Sequence, residues 1–211
     1  VKLQRKIISL KRSGKKRPKV TITFSDESVF EFSEDVFIST RFEVGDDIHD
    51  DEFESLLANQ QIHECKFAAL SLINYRFRST AELITRLIQK GFEKNIIDQT
   101  IKFLSEKKFL NDTSFAETFI HDRIHSRSLG PIAIKRELFK HKIDSEIADR
   151  IIEKVYNDLP EEELVESLME KKKIEPELEL SQKDKDKLIR FLQRRGHRWG
   201  VIQVVFEKWN I

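Results

Sequence analysis

Between residues 79 and 206 apolar positions recur three to four apart, the spacing that gathers them on one side of a helix. The pattern returns three times. STAELITRLIQKGFEKNIIDQTI (79–101), GPIAIKRELFKHKIDSEIADRII (130–152) and DKDKLIRFLQRRGHRWGVIQVVF (184–206) align without a gap. Leu83, Ile134 and Leu188 share a column, as do Leu87, Leu138 and Leu192. So do Ile96, Ile147 and Val201, and Ile101, Ile152 and Phe206. Each copy predicts two helices joined by a short turn. Ser79 and Glu82 have the spacing of a capping box, and Gly130-Pro131 puts proline at a first helical position. Gly91 and Gly196 stand where the first helix must stop in a left-handed residue; Lys142 has that place in the middle copy. Another amphipathic helix precedes each pair. These are expected near 51–75 (Phe67, Leu70, Leu72), at 113–125 (Phe115, Ala116, Phe119, Ile120, Ile124) and at 161–172 (Leu164, Val165, Leu168, Met169).

The pattern predicts a mainly α chain of three tandem three-helix repeats, at 50–110, 111–158 and 160–211. Modules this small bury little alone, so neighbours must pack, and a curved, elongated array is expected. The first fifty residues differ. KVTITF (19–24) alternates at the strand period, SDES (25–28) marks a turn, and VFEF (29–32) is a partner strand, with VFIS (36–39) a third. A small β-hairpin domain is therefore expected at 19–48, after a basic tail at 1–18. The acidic VGDDIHDDE (44–52) joins it to the helices. KKKIEPELELSQKDKD (171–186), with Pro176 and dense charge, reads as a long loop.

Charge changes this picture. The net charge of +1 over 211 residues hides nine Lys or Arg and no acid in residues 1–19, then thirteen acids against Arg41 alone in 20–65. The tail is expected to attract nucleic acid or an acidic surface, or else to lie against the acidic 43–54 segment and neutralise it. No run of 18 apolar residues predicts a membrane span, and the N-terminus lacks the apolar stretch of a secretory signal. Cys65 is the only cysteine, which excludes an internal disulfide and suits a reducing cytosol.

YRFRSTAEL (75–83), KKFLNDTSFAETFI (107–120) and GPIAIKREL (130–138), set on this triple plan, resemble the RecX family over about 65–211, most strongly over 67–140. The hairpin domain resembles that of its longer members. His197 departs from the family, where an aromatic residue usually follows the glycine. The resemblance implies a cytoplasmic, monomeric, non-enzymatic regulator without a cofactor. Such a protein lies in the groove of the RecA filament on DNA and opposes its activity; some members also bind single- or double-stranded DNA directly. A DNA-binding protein acting without RecA is the alternative.

In the residues themselves, Arg136–Lys140 and Arg190–Arg194 are i,i+4 pairs at corresponding repeat positions, and Arg86–Lys90 is the pair of the first module. Arg76 and Arg78 precede the first such helix, and Arg123 and Arg127 the second. With Lys135, Arg195, Arg198 and the tail's Lys15, Lys16 and Arg17, these are the candidate RecA- or DNA-binding residues. They form either a basic stripe following a polyanion or a solvated surface of local ion pairs. Other chemistry recedes. His121 and His125 lack a third metal ligand. Cys65 reads as packing, the acids at 161–163 as a helix start, and Trp199 and Trp209 as core. No phosphate-binding glycine loop, G-x-S-x-G or H-E-x-x-H motif is present, so no catalytic or metal residue is assigned.

Overall fold

A computed structural model describes residues 4–211. Four strands, with one short helix between the third and the fourth, are followed by a long run of helices. The chain forms two compact units. One holds the residues up to Arg76 together with Leu83–Lys107; the other holds Phe77–Glu82 and Lys108–Ile211.

In the first unit, β1 (Gln4–Ser13), β2 (Lys19–Phe24), β3 (Val29–Ser33) and β4 (Asp47–His49) make an antiparallel sheet in the order β3-β2-β1-β4. The expected basic tail is thus largely an inner strand, although Val1–Leu3 lie outside the described residues. Its cations did not prevent this, because a strand sends alternate side chains to opposite faces. Ile7 enters the core and Lys6 beside it faces water; Lys11 and Arg12, towards the end of the strand, are exposed as well, Arg12 pairing with Glu34 at 3.2 Å. The partner of Lys6 in β4 is Asp47, so this stretch lies beside the acidic segment, one of the two expectations above.

VFIS is not a strand. It belongs to α1 (Glu34–Ile38), where Glu34 and Asp35 occupy the favourable first turn and Val36 and Phe37 are both buried. Ser39 and Thr40 donate to the carbonyls of Val36 and Phe37 and close the turn. Two adjacent buried residues fit a helix against a sheet and not an alternating edge strand.

α2 (Asp50–Tyr75) has two duties. Its first turns cap the sheet, where Phe53 meets Phe24, Phe30 and Phe32 edge-on at 5.5, 4.8 and 6.4 Å between ring centres. Its later turns bury Cys65 and Ala69 and pack on α4 (Lys94–Glu106). Between them runs α3 (Thr80–Gln89), with Leu83 and Leu87 buried. Its first turn belongs to the second unit.

The second unit continues with α5 (Asp112–Arg127), α6 (Pro131–Lys140) and α7 (Ser145–Asp158), then α8 (Glu161–Lys171), α9 (Gln182–Arg194) and α10 (Trp199–Trp209). Two cores result, one around Phe115, Ile120, Ile134, Leu138 and Ile151, the other around Val165, Met169, Leu188, Leu192 and Ile202. The aligned columns Leu83/Ile134/Leu188 and Leu87/Leu138/Leu192 are buried in all three copies. Gly91, Lys142 and Gly196 all have positive φ, at 89°, 54° and 88°. The expected loop is shorter than its charge suggested. Ser181 caps α9 through Asp184 N–H, so 182–186 is helical. Ile174 and Leu180 pack on the core, and Glu177 N–H donates to the Trp209 carbonyl at 2.7 Å.

Candidate functional site

The structure divides the candidate cations by what already holds them. Arg78 is buried and pairs with Glu82 at 2.5 Å, while the Glu82 N–H bonds Ser79 Oγ as the capping spacing predicted. Arg123 donates to Glu137 at 2.7 Å, pairs with Asp122 at 2.5 Å and lies 4.3 Å over the Phe119 ring. Arg127 stands 3.7 Å from the same Glu137. Lys135 pairs with Asp149 at 2.5 Å. Arg195 donates to the Arg127 carbonyl, and Arg198 to Glu161 at 2.6 Å. Arg17 rests 4.2 Å over Phe67, an exposed ring in place of the core contact its spacing suggested. Arg86 bonds Gln89 at 3.0 Å, and Arg76 is exposed.

The others are open. Arg136 and Lys140 on α6, Arg190 and Arg194 on α9, Lys90 after α3, and Lys15 and Lys16 at the β1–β2 turn are exposed. None of them makes an ion pair among the described residues. Among the candidates of the second unit, these two i,i+4 pairs are therefore the ones whose charge is not already engaged.

Two close junctions set how these helices meet. Gly130 N–H donates to the Arg195 carbonyl at 2.9 Å and Ile132 N–H to that of Gly196 at 3.1 Å. The free N–H groups at the start of α6 thereby meet the free carbonyls at the end of α9, and the two helix dipoles join head to tail. This approach leaves no room for side chains: a Cβ on Gly196 would stand 2.3 Å from Ala133 N, and one on Gly130 2.5 Å from Gly196 O. The end of α6 meets the start of α3 in a related way, with Ser79 Oγ donating to the His141 carbonyl at 2.8 Å.

Beside the first junction lies a buried polar group that the sequence pattern did not reveal. Glu161 and His197 are each 1% exposed. His197 Nε2 contacts the Ser128 carbonyl at 3.0 Å, and Nδ1 lies 3.3 Å from Glu161 Oε1, close but poorly aligned for a hydrogen bond. The Arg198 N–H completes the set, 2.7 Å from Glu161 Oε1. Burial pushes the Glu161 carboxyl up, but the His197 contact and the Arg198 bonds outweigh it and hold the group below the usual carboxylate range. Read as one of three acids at a helix start, Glu161 looked like a dipole complement; the signal for its other role was the odd His197 after Gly196.

Elsewhere, Cys65 is buried, and burial raises its thiol above the ordinary value, outweighing the lowering influence of the nearby Thr100 hydroxyl. His121 and His125 are exposed on α5. Trp209 is core as expected, but Trp199 is 47% exposed: it opens α10 on the outer side, whereas Ile202 and Val205 face inward.

Residues 65–104 match the first three-helix domain of RecX, and residues 111–151 the second. The chain is 31% identical over 163 residues to the regulatory protein RecX of Clostridium perfringens, covering 71% of this chain and 70% of that one. The chain belongs to the RecX family. Within that family it is also 29% identical over 181 residues to the regulatory protein RecX of Oceanobacillus iheyensis, spanning 86% of this chain and 66% of that relative's length. A crystal structure of a regulatory protein RecX shares the fold, with a TM-score of 0.77 over 96% of this chain and 99% of the other at 16% identity. The two domain matches end before α8, so the buried Glu161–His197–Arg198 group lies beyond the stretch they cover. No described helix is long and apolar enough to cross a membrane.

Proposed function

We propose that this RecX-family protein binds the RecA filament on DNA and restrains RecA activity, as a monomer in the cytoplasm, without catalysis or a cofactor. The observation that carries this reading is the pair of open cation sets, Arg136–Lys140 and Arg190–Arg194, on helices joined end to end at Gly130 and Arg195. In the same unit Arg123, Lys135 and Arg198 are already paired with carboxylates, whereas these four remain available to an anionic partner. Lying along the groove, they bridge neighbouring RecA subunits and block subunit addition or strand exchange. The test is RecA-dependent ATP hydrolysis and strand exchange with this protein titrated in. Both rates fall as the protein saturates the filament; unchanged rates reject the role.

A further inference from the structure

Helix α6 buries Pro131, Ala133, Ile134 and Leu138. That leaves Ile132, Arg136, Phe139 and Lys140 on the opposite side, within an arc of about 100°. Phe139 is 80% exposed and Ile132 49%. They are seven residues apart, two turns on one face. The other charges of the helix are engaged, Lys135 by Asp149 and Glu137 by Arg123. Arg136 and Lys140 flank the two apolar side chains with their charge unspent.

Of the three equivalent helices, α6 alone combines these properties. On α3 the residue equivalent to Phe139 is Ile88, also exposed at 57%, but Thr85 and Gln89 stand where α6 has its cations. On α9 the cations are kept as Arg190 and Arg194, but Asp186 and Gln193 replace the apolar pair. We infer that the outer face of α6 is the anchor of the complex. Phe139 and Ile132 enter an apolar groove on a protein subunit of the filament, and Arg136 and Lys140 meet carboxylates on its rim. This rests on the filament reading above and adds to it the point where affinity is concentrated. Apolar side chains at i and i+7 are the mark of a helix laid in a groove, and a protruding aromatic ring with a basic neighbour has the make-up of an interface hot spot. A nucleic-acid strand would stack on Phe139 but has no use for Ile132. A second copy docked by a two-fold axis would bring Arg136 and Lys140 against themselves.

The test uses the full chain, RecA assembled on fluorescent single-stranded DNA with a non-hydrolysable ATP analogue, and the bare strand. Phe139→Ala and Ile132→Ser each weaken filament binding by about ten-fold or more, while Phe139→Leu, which still fills an apolar groove, stays within about three-fold. None changes bare-strand affinity or the urea midpoint of unfolding. Wild-type affinity for the filament in Phe139→Ala overturns the inference and leaves the filament reading standing. Parallel loss on filament and bare strand, rescued by Phe139→Trp but not by Leu, assigns the face to nucleic acid and overturns it too. So does a wild-type dimer that Phe139→Ala dissolves. A wild-type chain that ignores the filament removes the filament reading, and this contact with it.

Discussion

Gly196 and Ala133 stand so close that a methyl group on the glycine would lie 2.3 Å from the alanine nitrogen. This contact lets the end of α9 deliver the Arg195 and Gly196 carbonyls to the free N–H groups of α6. The glycine serves two purposes at once: its φ of 88° ends one helix, and its missing side chain admits the next.

The repeat separates these purposes. Gly91 has the same backbone, at φ 89°, but a methyl group added there would meet nothing within 4 Å. Gly91→Ala therefore costs only the left-handed strain, about 1–2 kcal/mol. Gly196→Ala adds the collision and costs about 3 kcal/mol or more. Urea unfolding of the two variants measures the difference; equal losses would show that the close approach is relaxed cheaply.

Glu161→Gln tests the buried group. The folded-state carboxyl lies below its unfolded value of about 4.3. Its contribution is therefore fully present above that value and is lost as pH falls through the lower, folded value. The variant is less stable than wild type by about 1.5–3 kcal/mol at neutral pH, the worth of hydrogen bonds to a charged group, and the gap closes as pH drops below about 4. Chemical denaturation across that range reads it directly.

Reversing Arg136, Lys140, Arg190 and Arg194 to Glu together weakens binding to the RecA filament by about ten-fold or more at low salt. The difference shrinks as salt rises. Because all four side chains are exposed, the urea midpoint moves little. Fluorescence titration at several salt concentrations checks both statements.

The basic N-terminal stretch must be tested at its turn and not by removal. Deleting residues 1–19 takes away β1, which lies between β2 and β4, and unfolds the sheet. Lys15→Ser with Lys16→Ser keeps the strand and lowers filament affinity by only a few-fold, through weaker long-range attraction. Circular dichroism and the same titration distinguish the two changes.

Cys65 reacts with a thiol reagent far more slowly in the folded protein than in urea. Its sulfur is buried, and burial holds it in the less reactive protonated form. Comparable rates in the two conditions would show that α2 opens at this position.

The local spacing of apolar residues, with the glycines between them, was enough to determine the repeat helices, their threefold repetition and the left-handed stops at Gly91 and Gly196, because each depends on neighbours within a turn or two. It also located the open cations, although not which of the sixteen candidates would be open. That depended on partners distant in the chain, such as Glu137 for Arg123 and Asp149 for Lys135. The strand at Gln4–Ser13, the helix at Glu34–Ile38, the burial of Glu161 with His197 and the exposure of Trp199 were likewise decided in three dimensions. A charged or aromatic side chain takes its environment from whichever element packs against it, and periodicity along a single segment carries no record of that element.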